Sequence, residues 1–192
     1  MIKEACVETL QEAVLAEKLG ADRIELCSDL ANEGLTPSFH LMQAACATLK
    51  IPVMVMIRPR AGGFVYSNTD IEQMKLEINM AKKSGAAGVV FGLLDGQNHI
   101  DLNNTKMLAE YASPLPVTFH KAIDKLDDPV EGIKLLKEIN GIKRILTSGG
   151  KTTAMEGVET IKKMMETAGD DLTIVVAGKV TDKNIVEVQK IT

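Results

Sequence analysis

The sequence lacks the features that mark membrane proteins, disulfide-rich secreted domains and most nucleic-acid-binding proteins. Its longest apolar stretches, such as 88–94, are far too short to cross a bilayer, and no signal peptide precedes the first predicted strand. Its three cysteines are an odd number without a CxxC motif, so they do not form a disulfide framework. A net charge of −4 argues against nucleic-acid binding. We therefore expect a cytoplasmic protein with neither a nucleic-acid partner nor a membrane partner.

Segments typical of strands alternate with segments typical of helices along nearly the whole chain. Short runs rich in valine and isoleucine, closed by glycine or proline, predict buried parallel strands. Capping residues and glycines predict the helix ends between them. The predicted helix starts include Thr9, Ser38, Asn68-Thr69 and Asp127-Asp128-Pro129. The predicted strands lie at 2–7, 22–27, from 52, at 88–94, at 116–121, from 144 and from 173. The predicted helices lie at 10–19, 38–50, 68–84, 103–112, from 129 to about 140, at 153–168 and from 182.

Strict βα alternation with short connections selects either an open doubly wound sheet or a barrel. No GxGxxG motif follows the first strand, which disfavours a dinucleotide-binding sheet. Polar residues at the ends of several strands favour the barrel, where such ends share one face. We therefore predict an α/β fold of the TIM-type (β/α) barrel class, with seven βα units visible and the eighth strand missing or truncated. At 192 residues, the expectation is a single domain over 1–192 that is incomplete at its C-terminus.

The polar strand ends predict where chemistry would occur. Side chains alternate between the two faces of a strand, so residues two apart share a face. On that basis Glu4 and Cys6 of the first strand point the same way, and so do Glu25 and Cys27 of the second. The third and fifth strands end in Arg58 and His120. If these faces line the barrel, its carboxyl end brings together Cys6, Glu25, Cys27, Arg58 and His120.

Two kinds of chemistry fit these residues. The first is a soft-metal site, because thiolates and thioethers select Cu(I) over hard cations. The candidate ligands are Cys6 and Cys27, and the candidate soft neighbours are Met54 and Met56.

The second is an enzyme of the isomerase, lyase or aldolase type acting on a small anionic metabolite. The residues of that enzyme hypothesis are Glu25 or His120 as acid or base, Arg58 as anion clamp, Asp124 as orienting carboxylate, and Ser148, Gly149 and Gly150 as an anion site.

Each candidate also has a structural interpretation. Free cysteine is often a plain core residue, and the two methionines can simply fill the barrel. Arg58 and Glu25 can form a buried ion pair, because an unpaired buried charge is costly. His120 can be a hydrogen-bonded core histidine, and Gly149-Gly150 can be an ordinary turn. A non-catalytic oligomeric scaffold is the third function that we consider.

Several longer motifs resemble the CutC copper homeostasis family, from Ile2 to about Ile185. The motifs that carry this resemblance are Ala21-Asp22-Arg23-Ile24-Glu25-Leu26-Cys27-Ser28, Gly34-Leu35-Thr36-Pro37-Ser38, Val55-Met56-Ile57-Arg58-Pro59-Arg60, Phe64-Val65-Tyr66-Ser67, Gly88-Val89-Val90-Phe91-Gly92, Pro116-Val117-Thr118-Phe119-His120 and Leu146-Thr147-Ser148-Gly149-Gly150.

The resemblance implies a TIM-type barrel, a cytoplasmic location, a role in copper handling and a homodimer or larger homo-oligomer. It also implies that Cys6 and Cys27 match the two strand-end cysteines of the family's proposed Cu(I) site. The chain departs from the family pattern at Ala177-Gly178-Lys179-Val180 and at Lys121-Ala122-Ile123-Asp124. The family's final strand, with its Phe-His motif, has no counterpart in this sequence, which ends at Thr192.

Overall fold

The computed structural model describes the backbone of residues 1–191 and the side chains of residues 1–190, so position 192 of the predicted domain lies outside the described residues. Within that range there are seven strands and seven α-helices. The strands are β1 Glu4–Val7, β2 Arg23–Leu26, β3 Val53–Met56, β4 Gly88–Phe91, β5 Val117–Phe119, β6 Ile142–Thr147 and β7 Thr173–Val176. The helices are α1 Leu10–Lys18, α2 Phe39–Thr48, α3 Asn68–Ser84, α4 Leu102–Ala112, α5 Pro129–Lys137, α6 Val158–Ala168 and α7 Ile185–Ile191.

The helices begin where side chains can bind the free N–H groups of the first turn. Thr9 and Ser38 cap α1 and α2 as the sequence predicts, and Asp128 caps α5 ahead of Pro129. The predicted cap of α3 at 68–69 is wrong. Ser67 caps that helix instead, because its hydroxyl accepts from the N–H of Asp70 while the Asp70 carboxylate accepts from the N–H of Ser67.

The first compact unit comprises Met1–Phe91 with Tyr111–Val117. Its parallel strands are ordered β1-β2-β3-β4. Every residue of β3 and β4 is buried, whereas β1 is only partly so. A cluster of buried side chains at the ends of these strands consists of Cys27, Met54, Met56 and Val90. This cluster places one of the two candidate ligands, Cys27, in the same packed group as the two candidate soft neighbours, Met54 and Met56.

The second compact unit comprises Gly92–Glu110 with Thr118–Thr192. Its strand order is β5-β6-β7, and Ile145 of the parallel β6–β7 pair is in register with Ile174. Strand β5 ends at Phe119 rather than at 121 as the sequence predicts, and a short 3₁₀-helix, Lys121–Lys125, follows it. Helix α6 begins at Val158 rather than at 153. The preceding residues instead form a loop, in which the N–H of Ala154 donates to the carbonyl of Gly178 at 2.9 Å.

The regular βα succession, with parallel strands ordered along the chain in each unit, confirms the TIM-type barrel class. The division of the chain into two units does not test the prediction of a single domain, which stays a prediction. Among the described helices, none is long and apolar enough to cross a membrane.

Candidate metal centre

Three potential ligand groups meet at the carboxyl ends of β1 and β2. Cys6 on β1 is in register with Glu25 on β2, and Cys27 follows two residues later on the same face. The two sulfur atoms lie 3.7 Å apart, and the Cys27 Sγ lies 3.8 Å from the Glu25 Oε1. One ligand atom from each of the three residues lies within 4.8 Å of the other two. The structure therefore brings together three of the five residues that the sequence predicts to converge.

The three groups differ in their access to solvent. Cys6 is exposed, whereas Cys27 is fully buried and Glu25 is 4% exposed. Burial, and secondly the nearby Glu4 carboxylate, raise the pKa of the Glu25 carboxyl to about 7, against the opposing effects of hydrogen bonds from the two thiols and of the Arg23 charge. Glu25 is therefore partly protonated near neutral pH.

The Cys27 thiol also holds its proton tightly. Its hydrogen bond with Cys6 raises its pKa, and burial and the adjacent Glu25 carboxylate act in the same direction. A cation bound between the two sulfur atoms would have to displace this proton, because the thiolate is the metal ligand. Metal affinity at this site is therefore expected to increase with pH.

Arg58, which follows β3, binds the backbone of neighbouring loops, and its predicted role as an anion clamp stays a prediction. Its side chain is 1% exposed, and its terminal nitrogens donate to the carbonyl oxygens of Asn32, Gly34 and Gly62 at 2.7, 3.1 and 2.8 Å. The carboxylate beside it belongs to Glu33, at 3.8 Å. Among the described side chains no ion pair joins Arg58 to Glu25, so the alternative of a structural ion pair between them is wrong. With both terminal nitrogens bound to carbonyls, only the Nε of Arg58 remains without a hydrogen-bond partner.

The other predicted residues belong to the second unit. His120 is buried, and its Nδ1 accepts from the N–H of Ala122 at 3.2 Å, which places the proton of the neutral ring on Nε2. A Cβ at Gly92 would lie 2.5 Å from that Nδ1, so the glycine after β4 makes room for the imidazole. These contacts are compatible with a hydrogen-bonded core histidine, and the role of His120 as acid or base stays a prediction.

Asp124 occupies the glycine-rich turn where the sequence predicted an anion site. Its carboxylate accepts from the Thr147 hydroxyl at 2.5 Å, from the Ser148 N–H and hydroxyl at 3.0 and 2.9 Å, and from the Gly150 N–H at 2.9 Å. The expected anion donors therefore already bind a carboxylate of the chain itself. The binding of an external anion here stays a prediction, for which the residues are Ser148, Gly149 and Gly150. The enzyme hypothesis also stays a prediction.

The sequence reasoning missed a hydrogen-bonded network beside β3. The Thr36 hydroxyl accepts from the N–H of Arg58 at 2.8 Å and donates to Glu77 at 2.6 Å. Glu77 is a buried acid on α3 and lies on the same apolar side of that helix as Met74 and Ile78. The sequence does contain a signal for this network, because Glu77 is a charged residue within the apolar stripe of α3. That position predicts a buried carboxylate that needs a hydrogen-bond partner.

Comparisons with known proteins agree on one family. The model described as "CutC family" matches residues 1–192. The copper homeostasis protein cutC homolog of Homo sapiens is 45% identical over 184 residues, which cover 96% of this chain and 67% of the relative. A crystal structure of CutC from Streptococcus agalactiae has a TM-score of 0.94 and 33% identity, and covers 100% of this chain and 94% of that one. Dihydrodipicolinate synthase DapA-2 from Bacillus anthracis shares the fold alone. Its structure has a TM-score of 0.66 and 15% identity, and the match covers 100% of this chain and 68% of that one.

Proposed function

This chain belongs to the CutC family, and from that membership we propose that it is a copper homeostasis protein that binds Cu(I) between the thiolates of Cys6 and Cys27. The observation that carries the proposal is the 3.7 Å separation of the two sulfur atoms on neighbouring strands, with the Glu25 carboxyl beside them. The names of the relatives support the connection with copper.

The choice of ion follows from the donor set. Thiolates are soft ligands that select Cu(I) over hard cations, for which carboxylates and carbonyls are suited. A structural zinc site usually has four protein ligands. Among the described residues, the group that can hold a metal at this position offers two sulfurs and one carboxylate. The two sulfurs favour Cu(I), with copper as the cargo of the protein rather than a catalytic cofactor.

Glu25 has a separate role in this proposal. The pKa of its carboxyl is about 7, so it takes up or releases a proton near neutral pH. When a bound cation displaces the thiol protons of Cys6 and Cys27 into solvent, the adjacent carboxyl stays protonated more readily than an exposed glutamate would. This limits the negative charge buried at the site.

We further propose a cytoplasmic location and a homo-oligomeric state, both of which agree with what the family resemblance implies. The three cysteines, Cys6, Cys27 and Cys46, are free thiols. Free thiols at a metal site need a reducing compartment to stay available, which supports the cytoplasmic location.

A competitive Cu(I) titration of reduced protein against a chromophoric chelator tests the copper proposal. We expect one Cu(I) per chain. We expect the Cys6→Ser/Cys27→Ser double variant to lower the affinity by about a hundredfold or more, or ~3 kcal/mol, since both sulfur ligands are removed. Cys46→Ser is the matched control and should leave the affinity unchanged, because Cys46 lies on α2 outside the ligand group. Equal affinity in the double variant would show that the copper role does not depend on this site.

A further inference from the structure

The segment 28–36, which we call the cover segment, lies against the buried thiol of the pair. A Cβ built on Gly34 would be 3.2 Å from the Sγ of Cys27 and 3.4 Å from its Cβ. No side chain therefore separates the Gly34 backbone from the sulfur atom. Cys27 is 0% exposed, whereas Cys6, 3.7 Å away from it, is exposed. The cover segment thus accounts for part of the difference in access between the two thiols.

The base of the cover segment is closed by hydrogen bonds. Ser28 and Leu35 form an antiparallel bridge, with N–H to carbonyl distances of 2.8 and 2.6 Å. The N–H of Thr36 donates to the carbonyl of Arg58 at 3.0 Å, and the Thr36 hydroxyl accepts from the N–H of Arg58 at 2.8 Å. These contacts fix the two ends of the segment to β2 and to the residues after β3.

Three side chains hold the middle of the cover segment: Glu8 accepts from the N–H of Leu30 at 2.8 Å, the Asn32 amide donates to Asp29 at 2.8 Å, and Arg58 makes the largest number of bonds. Arg58 Nη1 donates to the carbonyls of Asn32 and Gly34, and Nη2 donates to the carbonyl of Gly62. The guanidinium also lies 5.2 Å from the ring centroid of Phe64. Bonds from a charged donor in a buried position are among the stronger hydrogen bonds in a protein.

The backbone of the cover segment needs such support. Asp29 and Glu33 have φ angles of 50° and 66°, in the left-handed region that disfavours residues with a side chain, and Gly34 has a φ of 83°. A conformation of this kind persists when the surrounding contacts hold it. When Arg58 loses its bonds to Asn32 and Gly34, the segment is expected to relax away from Cys27.

We propose that Arg58 is a positioning residue that holds the cover segment over Cys27, so that an incoming ion or reagent reaches the thiol pair by way of Cys6. Arg58 therefore acts through the backbone of Gly34 and does not bind the ion itself. The part of this inference that concerns ion entry rests on the proposed copper function. The part that concerns the cover does not, because thiol access can be measured without metal.

Site-resolved alkylation of reduced, metal-free protein tests the cover. Iodoacetamide is added, and mass spectrometry follows the labelling of each cysteine separately. In the unmodified chain we expect Cys6 to react about tenfold faster than Cys27, or more. Arg58→Lys keeps the charge but loses the planar fork that reaches two carbonyls. In that variant we expect the Cys27 rate to rise about tenfold while the Cys6 rate stays within about twofold.

Two internal references separate local opening from general loosening. Cys46 is half-buried on α2, away from the cover segment, so its rate rises only if the whole unit loosens. Arg60→Lys is the matched control variant, because Arg60 bonds to Asp70 and to the carbonyl of Val65 and not to the cover segment. An unchanged Cys27 rate in Arg58→Lys would overturn the proposal, and so would an equal rise at Cys46.

A second variant addresses the same contact from the opposite side. Gly34→Ala places a methyl group 3.2 Å from the Cys27 Sγ at a φ of 83°, so it should displace the segment with Arg58 intact. We expect the Cys27 rate to rise in this variant also, and an unchanged rate would count against the cover.

A stopped-flow experiment, in which the Cu(I) complex of glutathione is the copper donor, tests whether the ion enters the site through Cys6. We expect Cys6→Ser to slow uptake about tenfold in the unmodified background and less in Arg58→Lys. If alkylation shows the cover but the titration shows no Cu(I) binding, the copper function fails and the cover stands. If the titration shows tight Cu(I) binding but Cys6 and Cys27 are alkylated at equal rates, the copper function stands and the cover fails.

Discussion

Asp124→Ala is expected to lower the free energy of unfolding by about 4 kcal/mol, because one carboxylate binds four donors of the turn after β6. The Asp124 side chain is 8% exposed, and Thr147 and Ser148 are fully buried. Removing the carboxylate leaves the N–H groups of Ser148 and Gly150 without an acceptor, and leaves the Thr147 hydroxyl with only the Met164 sulfur at 3.7 Å. The Ser148 hydroxyl keeps the Lys151 carbonyl at 2.6 Å as its acceptor. Urea unfolding followed by circular dichroism measures the change.

Asp127→Ala is the matched control for this prediction. Asp127 is an exposed carboxylate three residues along the chain, and its removal should change the free energy of unfolding by less than about 0.5 kcal/mol. Asp124→Asn should fall between the two variants, since its amide keeps one acceptor oxygen and turns a donor towards the remaining N–H groups. A loss below 1 kcal/mol in Asp124→Ala, as a rough threshold, would show that the turn does not depend on this carboxylate.

The second large effect is a pH dependence caused by Glu25. In the folded metal-free protein its pKa is about 7, chiefly because the carboxyl is buried and secondly because Glu4 lies nearby, whereas the ordinary value is 4.5. Below pH 4.5 the carboxyl is protonated in both states. As the pH rises towards 7 it ionises in the unfolded chain but not in the folded one, so stability falls. The total loss is about 3 kcal/mol and is complete above pH 7.

Glu25→Gln isolates this effect, since the amide does not titrate. The free energy of unfolding of the variant, minus that of the unmodified chain, should increase by about 3 kcal/mol between pH 4.5 and 7.5. Glu12→Gln supplies a control of opposite sign. The pKa of Glu12 is lowered, mainly by the N–H of Glu8 and by Thr9 in the capping box of α1, so its contribution to stability is lost as the pH falls below 4.5. A difference for Glu25→Gln that stays flat from pH 4.5 to 7.5 would contradict the prediction.

The order of strands and helices could be predicted from the sequence because its signals are local. The caps at Thr9, Ser38 and Asp128 and the valine-rich runs depend on neighbours within a few residues. The predicted ends failed where a distant contact decides the conformation. The loop before α6 is one such case, because the N–H of Ala154 donates to the carbonyl of Gly178.

The candidate site was predictable to the extent that strand geometry determines it. Cys6, Glu25 and Cys27 lie on adjacent strands, and side-chain alternation alone places them on one face. Side-chain alternation also predicts that Arg58 shares this face. Its long side chain instead donates to the carbonyls of Asn32 and Gly34, in a loop whose conformation the sequence does not predict. Asp124 binds the glycine-rich turn through residues such as Ser148, which are more than 20 positions away in the sequence. No periodicity of the sequence predicts a contact of that kind.

The close approach of Gly34 to Cys27 implies that these two positions vary together in related chains. With a φ of 83° and an added Cβ 3.2 Å from the sulfur atom, a side chain at position 34 displaces the cover segment unless position 27 gives up volume. We therefore expect relatives with a residue other than glycine at the equivalent of 34 to have alanine, serine or glycine at the equivalent of 27. Such chains would have lost one of the two thiols, and their copper chemistry, if they retain any, would differ from that of this protein.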